Sequence, residues 1–231
     1  MKKKKILLVF KIIFVLLIIL SLFGLLSWRV DNKNIDKIVI KEKEYLKEED
    51  NGYLLEEEIL EDNKYTIGWL KVSGTRIDYP VIKYKDNDYY LNHDFYNKKN
   101  SAGWIFMDYR NKLDDQNIII YGHHRKDGIM FGDIDKLMKK KYYDSNDGKI
   151  LLVINDENIY YQIFSVYKAE SNSNYNQPNY DNFKEILDEL KNRSSIKFDS
   201  NLDDVEQIIT LVTCHDNNKD RLVVHAYKIL P

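Results

Sequence analysis

Eight short runs rich in β-branched and aromatic residues succeed one another from Tyr65 onward: YTIGWLKV, RIDYPVIKY, AGWIFMDY, NIIIYGHH, KILLVIN, IYYQIFSVYKAE, VEQIITLVTC and RLVVHAYKIL. Runs of this length and composition are strand material. Helical spacing interrupts them only at Asp88 to Asp94, at Met130 to Tyr143 and at Asn182 to Lys191. Many short strands with few long helices indicate a mainly β fold, an eight-stranded closed or nearly closed β-barrel with helical insertions. With 44% apolar residues in 231, the chain has enough material for one domain with a proper core plus appendages.

The appendage is N-terminal. MKKKK is followed by ILLVFKIIFVLLIILSLFGLL, residues 6–26, apolar except for Lys11, Ser21 and Gly24. As a helix this segment is long enough to cross a hydrocarbon core of roughly 30 Å. It lacks the polar face of a core helix, and Ser27-Trp28-Arg29 is a poor small-residue cleavage site, so an uncleaved transmembrane anchor is expected rather than a signal peptide. Lys2 to Lys5 sit beside the span with no acidic residue among them. Arg29, Lys33, Lys37 and Lys41 flank its other side, but a long following domain translocates largely regardless of charge. The expected arrangement is a single-pass membrane protein with its N-terminus inside and its folded domain outside. Residues 31–62, with Ile35, Ile38, Val39, Tyr45, Leu46, Leu54, Leu55, Ile59 and Leu60 among Lys and Glu, read as one or two amphipathic stalk helices broken near Asn51-Gly52. The boundaries expected are thus a tail at 1–5, an anchor at 6–27, a helical stalk at 28–64 and the main domain at 65–231. The balance of 35 basic against 37 acidic residues argues against a nucleic-acid partner.

The chain has one cysteine, Cys214, ending the run TLVTC and followed by His215. Outside a membrane a lone cysteine has no intrachain partner, which leaves a free thiol to be explained. If Thr210–Cys214 and Arg221–His225 form a hairpin around HDNNKD, a register pairing Cys214 with Arg221 also pairs Val212 with Val223 and Thr210 with His225. Thiol and guanidinium then meet at one end of the sheet, and a one-residue slip would separate them. Free cysteine commonly behaves as a small buried hydrophobe. At a strand end beside a polar loop, with a cation near, it is equally a candidate nucleophile.

Five histidines compete to serve that thiol. His93, in YLNHDF, reads as a surface or capping residue, and His215 adjoins the cysteine, where strand neighbours point to opposite faces. His225 lies within a strand and fits a satisfied core position. His123 and His124 end the run NIIIYG at a glycine, where a side chain can project from the rim. A zinc site from His123, His124 and Cys214 is conceivable, but adjacent histidines lack the helical i, i+4 spacing of zincins and no further Cys ligand exists.

These residues resemble a family. TLVTC followed by Arg221 is similar to the T-L-x-T-C…R signature of sortases, the membrane-anchored cysteine transpeptidases of Gram-positive bacteria, and YGHH resembles their strand-end histidine segment. IDYPVIKYKDNDYYLNHDF, AGWIFMDYRN, YGHHRKDGIMFGDIDKL and the helical insertion before the cysteine strand resemble class B, including clostridial-looking members. The resemblance runs from about Tyr65 onward, in the family's order of His, Cys and Arg. Val212 stands where class B often has serine.

The resemblance implies the eight-stranded sortase barrel, with Cys214 as nucleophile, His123 as the catalytic histidine and Arg221 as the third member. It implies acyl transfer: a threonine carbonyl of a C-terminal sorting signal is attacked by Cys214, and a cell-wall amine resolves the thioester, with no metal or organic cofactor. The implied partners are surface proteins carrying an N-P-x-T or S/P-P-x-T-G motif and a peptidoglycan precursor amine. It also implies a groove under the connection at about Ser171–Ser200, for which Asn87, Leu91, Tyr167 and Tyr175 are the substrate-binding candidates, although Leu91 and Tyr167 fit ordinary core positions equally. Two other readings use the same residues: a thiol peptidase acting by hydrolysis, and a cell-wall-binding β-domain with an inert Cys214.

Overall fold

The structure, a computed structural model, describes residues 2–155, 157–170, 175–215 and 220–229. Fourteen helices and strands matter here: α1 (Lys2–Glu42), β1 (Leu46–Glu49), β2 (Gly52–Leu55), α2 (Ile59–Asp62), β3 (Thr66–Val72), β4 (Asp78–Lys83), β5 (Phe106–Met107), β6 (Asn117–Gly122), α3 (Ile134–Leu137), β7 (Lys149–Ile154), β8 (Glu157–Glu170), α4 (Phe183–Arg193), β9 (Ile208–His215) and β10 (Asp220–Lys228). Strands β3 to β10 close into a barrel in the order β10-β8-β7-β3-β4-β5-β6-β9. Each of the eight β-type runs supplies one barrel strand, although AGWIFMDY pairs only through Phe106 and Met107.

The strands are apolar on both faces because both faces are covered. Along β9, Ile209 and Leu211 belong to the inner core while Ile208 and Val212 belong to a second, outer one; along β10, Leu222 and Val224 are inner and Val223 outer. Leu187 and Leu190 of α4, with Tyr175 before it, complete the outer core. That layering follows from the period-2 alternation of strands meeting one amphipathic helix. On β8 the pairing with β10 skips Phe164, a bulge opposite the step from His225 to Ala226.

Helix α1 has two halves with different surroundings. Ile6 to Val30 present large apolar side chains to the outside all round the helix, whereas Ile35 and Ile38 are buried on the barrel. The second half is pinned by Lys41 Nζ, 2.6 Å from Asp62 Oδ2 and 2.7 Å from Tyr96 Oη, and Lys43, just beyond its end, places Nζ 2.7 Å from Asp78 Oδ2. The first half is the one helix among the described residues that is long and apolar enough to cross a membrane.

The stalk departs from expectation. Residues 46–55 are not helical: β1 and β2 form a hairpin with Leu46 opposite Leu55 and Glu49 opposite Gly52. A two-residue Asp50-Asn51 turn favours this, and Asn158 fastens the hairpin to the barrel, its Oδ1 accepting from Tyr53 N (2.8 Å) and its Nδ2 donating to Tyr53 O (2.8 Å). Apolar spacing over so few residues cannot separate a short strand from a helix. Likewise Asp88–Asp94 is a single 3-10 turn at Tyr89–Leu91, and Met130–Tyr143 divides into α3 and a second 3-10 turn at Lys140–Asp144.

Candidate active site

Two strand pairings build the site. Strands β6 and β9 run parallel, with Tyr121 opposite Val212 and Gly122 opposite Thr213, so His123 and Cys214 are the next residues along each. On its other side β9 pairs antiparallel with β10, and there Cys214 stands opposite Arg221, Val212 opposite Val223 and Thr210 opposite His225. This is the register supposed above for the hairpin. His123, Cys214 and Arg221 therefore occupy one end of three adjacent strands, about 4.8 Å apart from strand to strand. Residues 216–219, the tip of the anticipated HDNNKD loop, lie outside the described residues.

The two neighbouring histidines are sent to different partners. Gly122 lets the chain turn under the Phe131 ring, since a Cβ at this position would meet Phe131 Cγ at 2.8 Å. Beyond it, His123 Nε2 lies 2.6 Å from the Leu91 carbonyl oxygen. A carbonyl only accepts, so Nε2 is the protonated nitrogen. His124 Nε2 instead lies 2.7 Å from Asp135 Oδ2, and its backbone bridges to Met130. Asp135 carried no sequence signal beyond its place in GDIDKL. His93 stacks on Tyr89 at 3.9 Å between ring centres and bonds the Tyr89 carbonyl through Nδ1 at 2.8 Å, which makes it a turn-stabilising residue.

His225 is a core histidine with a fully specified proton arrangement. Asn117 Nδ2 donates to Gln177 O, so Asn117 Oδ1 accepts from the Thr210 hydroxyl at 2.6 Å. Thr210 Oγ1 in turn accepts from His225 Nδ1 at 2.8 Å, leaving His225 Nε2 to accept from the Tyr167 hydroxyl at 3.0 Å. Burial, and secondarily the charge of Arg193, push this imidazole down to about 3, so it stays neutral.

The four residues expected along a substrate groove divide. Leu91 is exposed, and its carbonyl touches the His123 ring. Asn87 is half-buried, and its Oδ1 accepts from Tyr109 N at 3.0 Å. No regular helix joins the two. Tyr167 and Tyr175, by contrast, are 4% and 2% exposed and fill the outer core against α4. Their large rings are part of that layer.

The insertion is also tied to the strand that carries His123. Asp108 is wholly buried and accepts from Arg110 Nη2 at 2.7 Å and from Tyr121 Oη at 3.1 Å. Arg110 Nη2 also donates to Asn176 O at 2.8 Å, and Asn176 Nδ2 donates to Tyr121 Oη at 3.2 Å. Burial alone would raise the Asp108 carboxyl, but the hydrogen bonds and charge of Arg110 outweigh it and hold the group below its ordinary value. Burial first, then Asp108, push the Tyr121 phenol upward. Beyond the motif MDYRN, no pattern in the chain announces this network. Among the described residues no cluster of His, Cys, Asp or Glu has the makings of a metal site.

Comparison with known proteins gives a consistent picture. A family model described as the sortase domain matches residues 70–229. Sortase B of Staphylococcus aureus is 34% identical over 240 residues, covering 98% of each chain, and Sortase B of Listeria monocytogenes is 33% identical over 230 residues, covering 91% of this chain and 93% of its own. The crystal structure of sortase B from Bacillus anthracis superposes with a TM-score of 0.76 at 29% identity, covering 87% of this chain and 99% of that one.

Proposed function

Because this chain belongs to the sortase family and is a class B cysteine transpeptidase, we propose that Cys214, His123 and Arg221 carry its acyl transfer. The observation that supports this reading is the pair of registers setting the three residues side by side at one barrel end. The Cys214 thiolate attacks the threonine carbonyl of a sorting signal, and protonated His123 gives its proton to the departing amide nitrogen. The amine that resolves the thioester then returns a proton to His123. Arg221, permanently charged and planar, steadies the substrate backbone and the oxyanion that forms on each attack.

Sortases join surface proteins bearing sorting signals to cell-wall amines, which places the enzyme at the cell envelope. The finer assignments are ours: an N-P-x-T or S/P-P-x-T-G motif, a peptidoglycan precursor amine, and an anchor at residues 6–27 with the N-terminus inside. Boundaries of 28–64 for the stalk and 65–231 for the catalytic domain accompany that reading. Exposed Leu91, with Asn87 nearby in sequence, is suited to touch the motif. Tyr167 and Tyr175 are suited to hold the insertion from beneath. The test is product analysis of motif peptides incubated with and without an amine acceptor. The expected result is a peptide–amine conjugate whenever acceptor is present, from N-P-x-T or S/P-P-x-T-G peptides in preference to L-P-x-T-G. Hydrolysis alone, whatever the acceptor, would favour a thiol peptidase, and a preference for L-P-x-T-G would overturn the motif assignment.

A further inference from the structure

Three pieces of chain meet on the ring of His123. The Tyr89–Leu91 turn brings the Leu91 carbonyl to 2.6 Å from Nε2. The segment before β5 brings Gly103, whose φ is +61°; a Cβ there would lie 2.9 Å from His123 Cδ2, 2.6 Å from Tyr90 O and 2.9 Å from Leu91 O. Strand β6 supplies the histidine itself. Turn and segment are fastened together by Trp104 N donating to Tyr90 O at 2.8 Å, while Gly103 N donates to Asn100 O at 3.1 Å. The close approach thus needs a residue with no side chain in a left-handed conformation, which only glycine adopts without strain.

We propose that Gly103 and the Leu91 carbonyl form a seat that fixes His123 as the Nε2–H tautomer, so that every proton exchanged in the reaction passes through Nδ1. Gly103 is then a positioning residue, which acts by letting the imidazole and the carbonyl meet. This deepens the reading of His123 as the acid and base of the site and rests on it. In the imidazolium both nitrogens carry a proton. The one on Nε2 is shared with an oxygen that cannot take it, so the proton lost to the departing amide leaves from Nδ1. The proton gained from the attacking amine arrives there too, and the Nε2–H is unchanged through both half-reactions. A second consequence is that the ring has one orientation before substrate arrives, which spares the reaction the cost of selecting it.

The experiment is long-range proton–nitrogen correlation NMR of the full chain in detergent micelles with nitrogen-15 histidine. The His123 signals are assigned by their loss in His123→Gln. With the ring neutral, the expected spectrum has a protonated Nε2 and an unprotonated Nδ1. Gly103→Ala is expected to remain folded by circular dichroism, to lose kcat on the order of tenfold to a hundredfold with a smaller change in KM, and to populate both tautomers. A wild-type His123 in the Nδ1–H form, or a folded Gly103→Ala enzyme with native kcat and native tautomer, would overturn the proposal. Should Gly103→Ala fail to fold, the wild-type spectrum decides alone. Because the tautomer is read without substrate, its outcome is separate from that of turnover by His123→Gln, which tests the catalytic assignment.

Discussion

Arg221 stands directly opposite Cys214 in the ladder between β9 and β10, and opposite Ala169 of β8 on its other side. It is held in the middle of a three-strand sheet rather than on a free loop, so its backbone cannot drift relative to the nucleophile. Exchanging it for lysine keeps the charge but replaces a planar multi-donor fork with a point charge. Arg221→Lys is expected to lose on the order of a hundredfold in kcat/KM, as for removal of an oxyanion donor, while unfolding at the same denaturant concentration as wild type. Near-native rates in a peptide cleavage assay would reduce the role to electrostatics.

The separate partners of the two adjacent histidines predict unequal effects. His123→Ala is expected to reduce turnover by about a hundredfold or more, the usual worth of a positioned proton donor. His124→Ala removes the contact with Asp135 and is expected to cost about 1 kcal/mol of stability, with turnover changed only severalfold. Parallel assays of both variants decide, and the reverse ranking would mean that the other imidazole serves the thiol.

His225 gives the fold a pH dependence of known sign. An unfolded chain protonates this residue near the ordinary histidine value of 6.5, whereas the folded chain resists protonation until about 3. Between these values the unfolded state binds more protons, so stability is lost as pH falls, by at most about 1.4 kcal/mol per pH unit from this residue. Urea titrations of wild type and His225→Gln between about pH 6 and pH 4 separate this contribution from that of the carboxylates. The variant is expected to have the shallower slope, and equal slopes would mean that His225 is protonated in the fold.

The barrel and the catalytic ladder were legible because both are written in local pattern. Apolar β-type runs mark all eight strands, and a turn-rich stretch between Cys214 and Arg221 marks a hairpin, though the pattern also allows a one-residue slip in its register. The β1–β2 hairpin escaped because Leu46, Leu54 and Leu55 suit a helix face as well as a short strand, and the choice is made by Asn158, more than a hundred residues away. Tyr167 and Tyr175 pose a similar question, because whether a tyrosine lines a groove or fills a layer depends on where α4 packs. The Asp108–Arg110–Tyr121–Asn176 network joins side chains far apart in sequence, and the seat under His123 rests on a backbone carbonyl and a glycine conformation; neither has a sequence period to betray it.

Acyl transfer through a thioester requires Cys214 to become covalently acylated, which mass spectrometry of the digested protein detects at the residue itself. Purified enzyme is mixed with an N-P-x-T or S/P-P-x-T-G sorting-signal peptide without amine acceptor, acid-quenched and digested. The expected spectrum shows an added mass equal to the motif fragment ending at threonine, located on the peptide containing Cys214, released by hydroxylamine and absent from a folded Cys214→Ala variant. Turnover by Cys214→Ala, or wild-type turnover that never acylates Cys214, would contradict it.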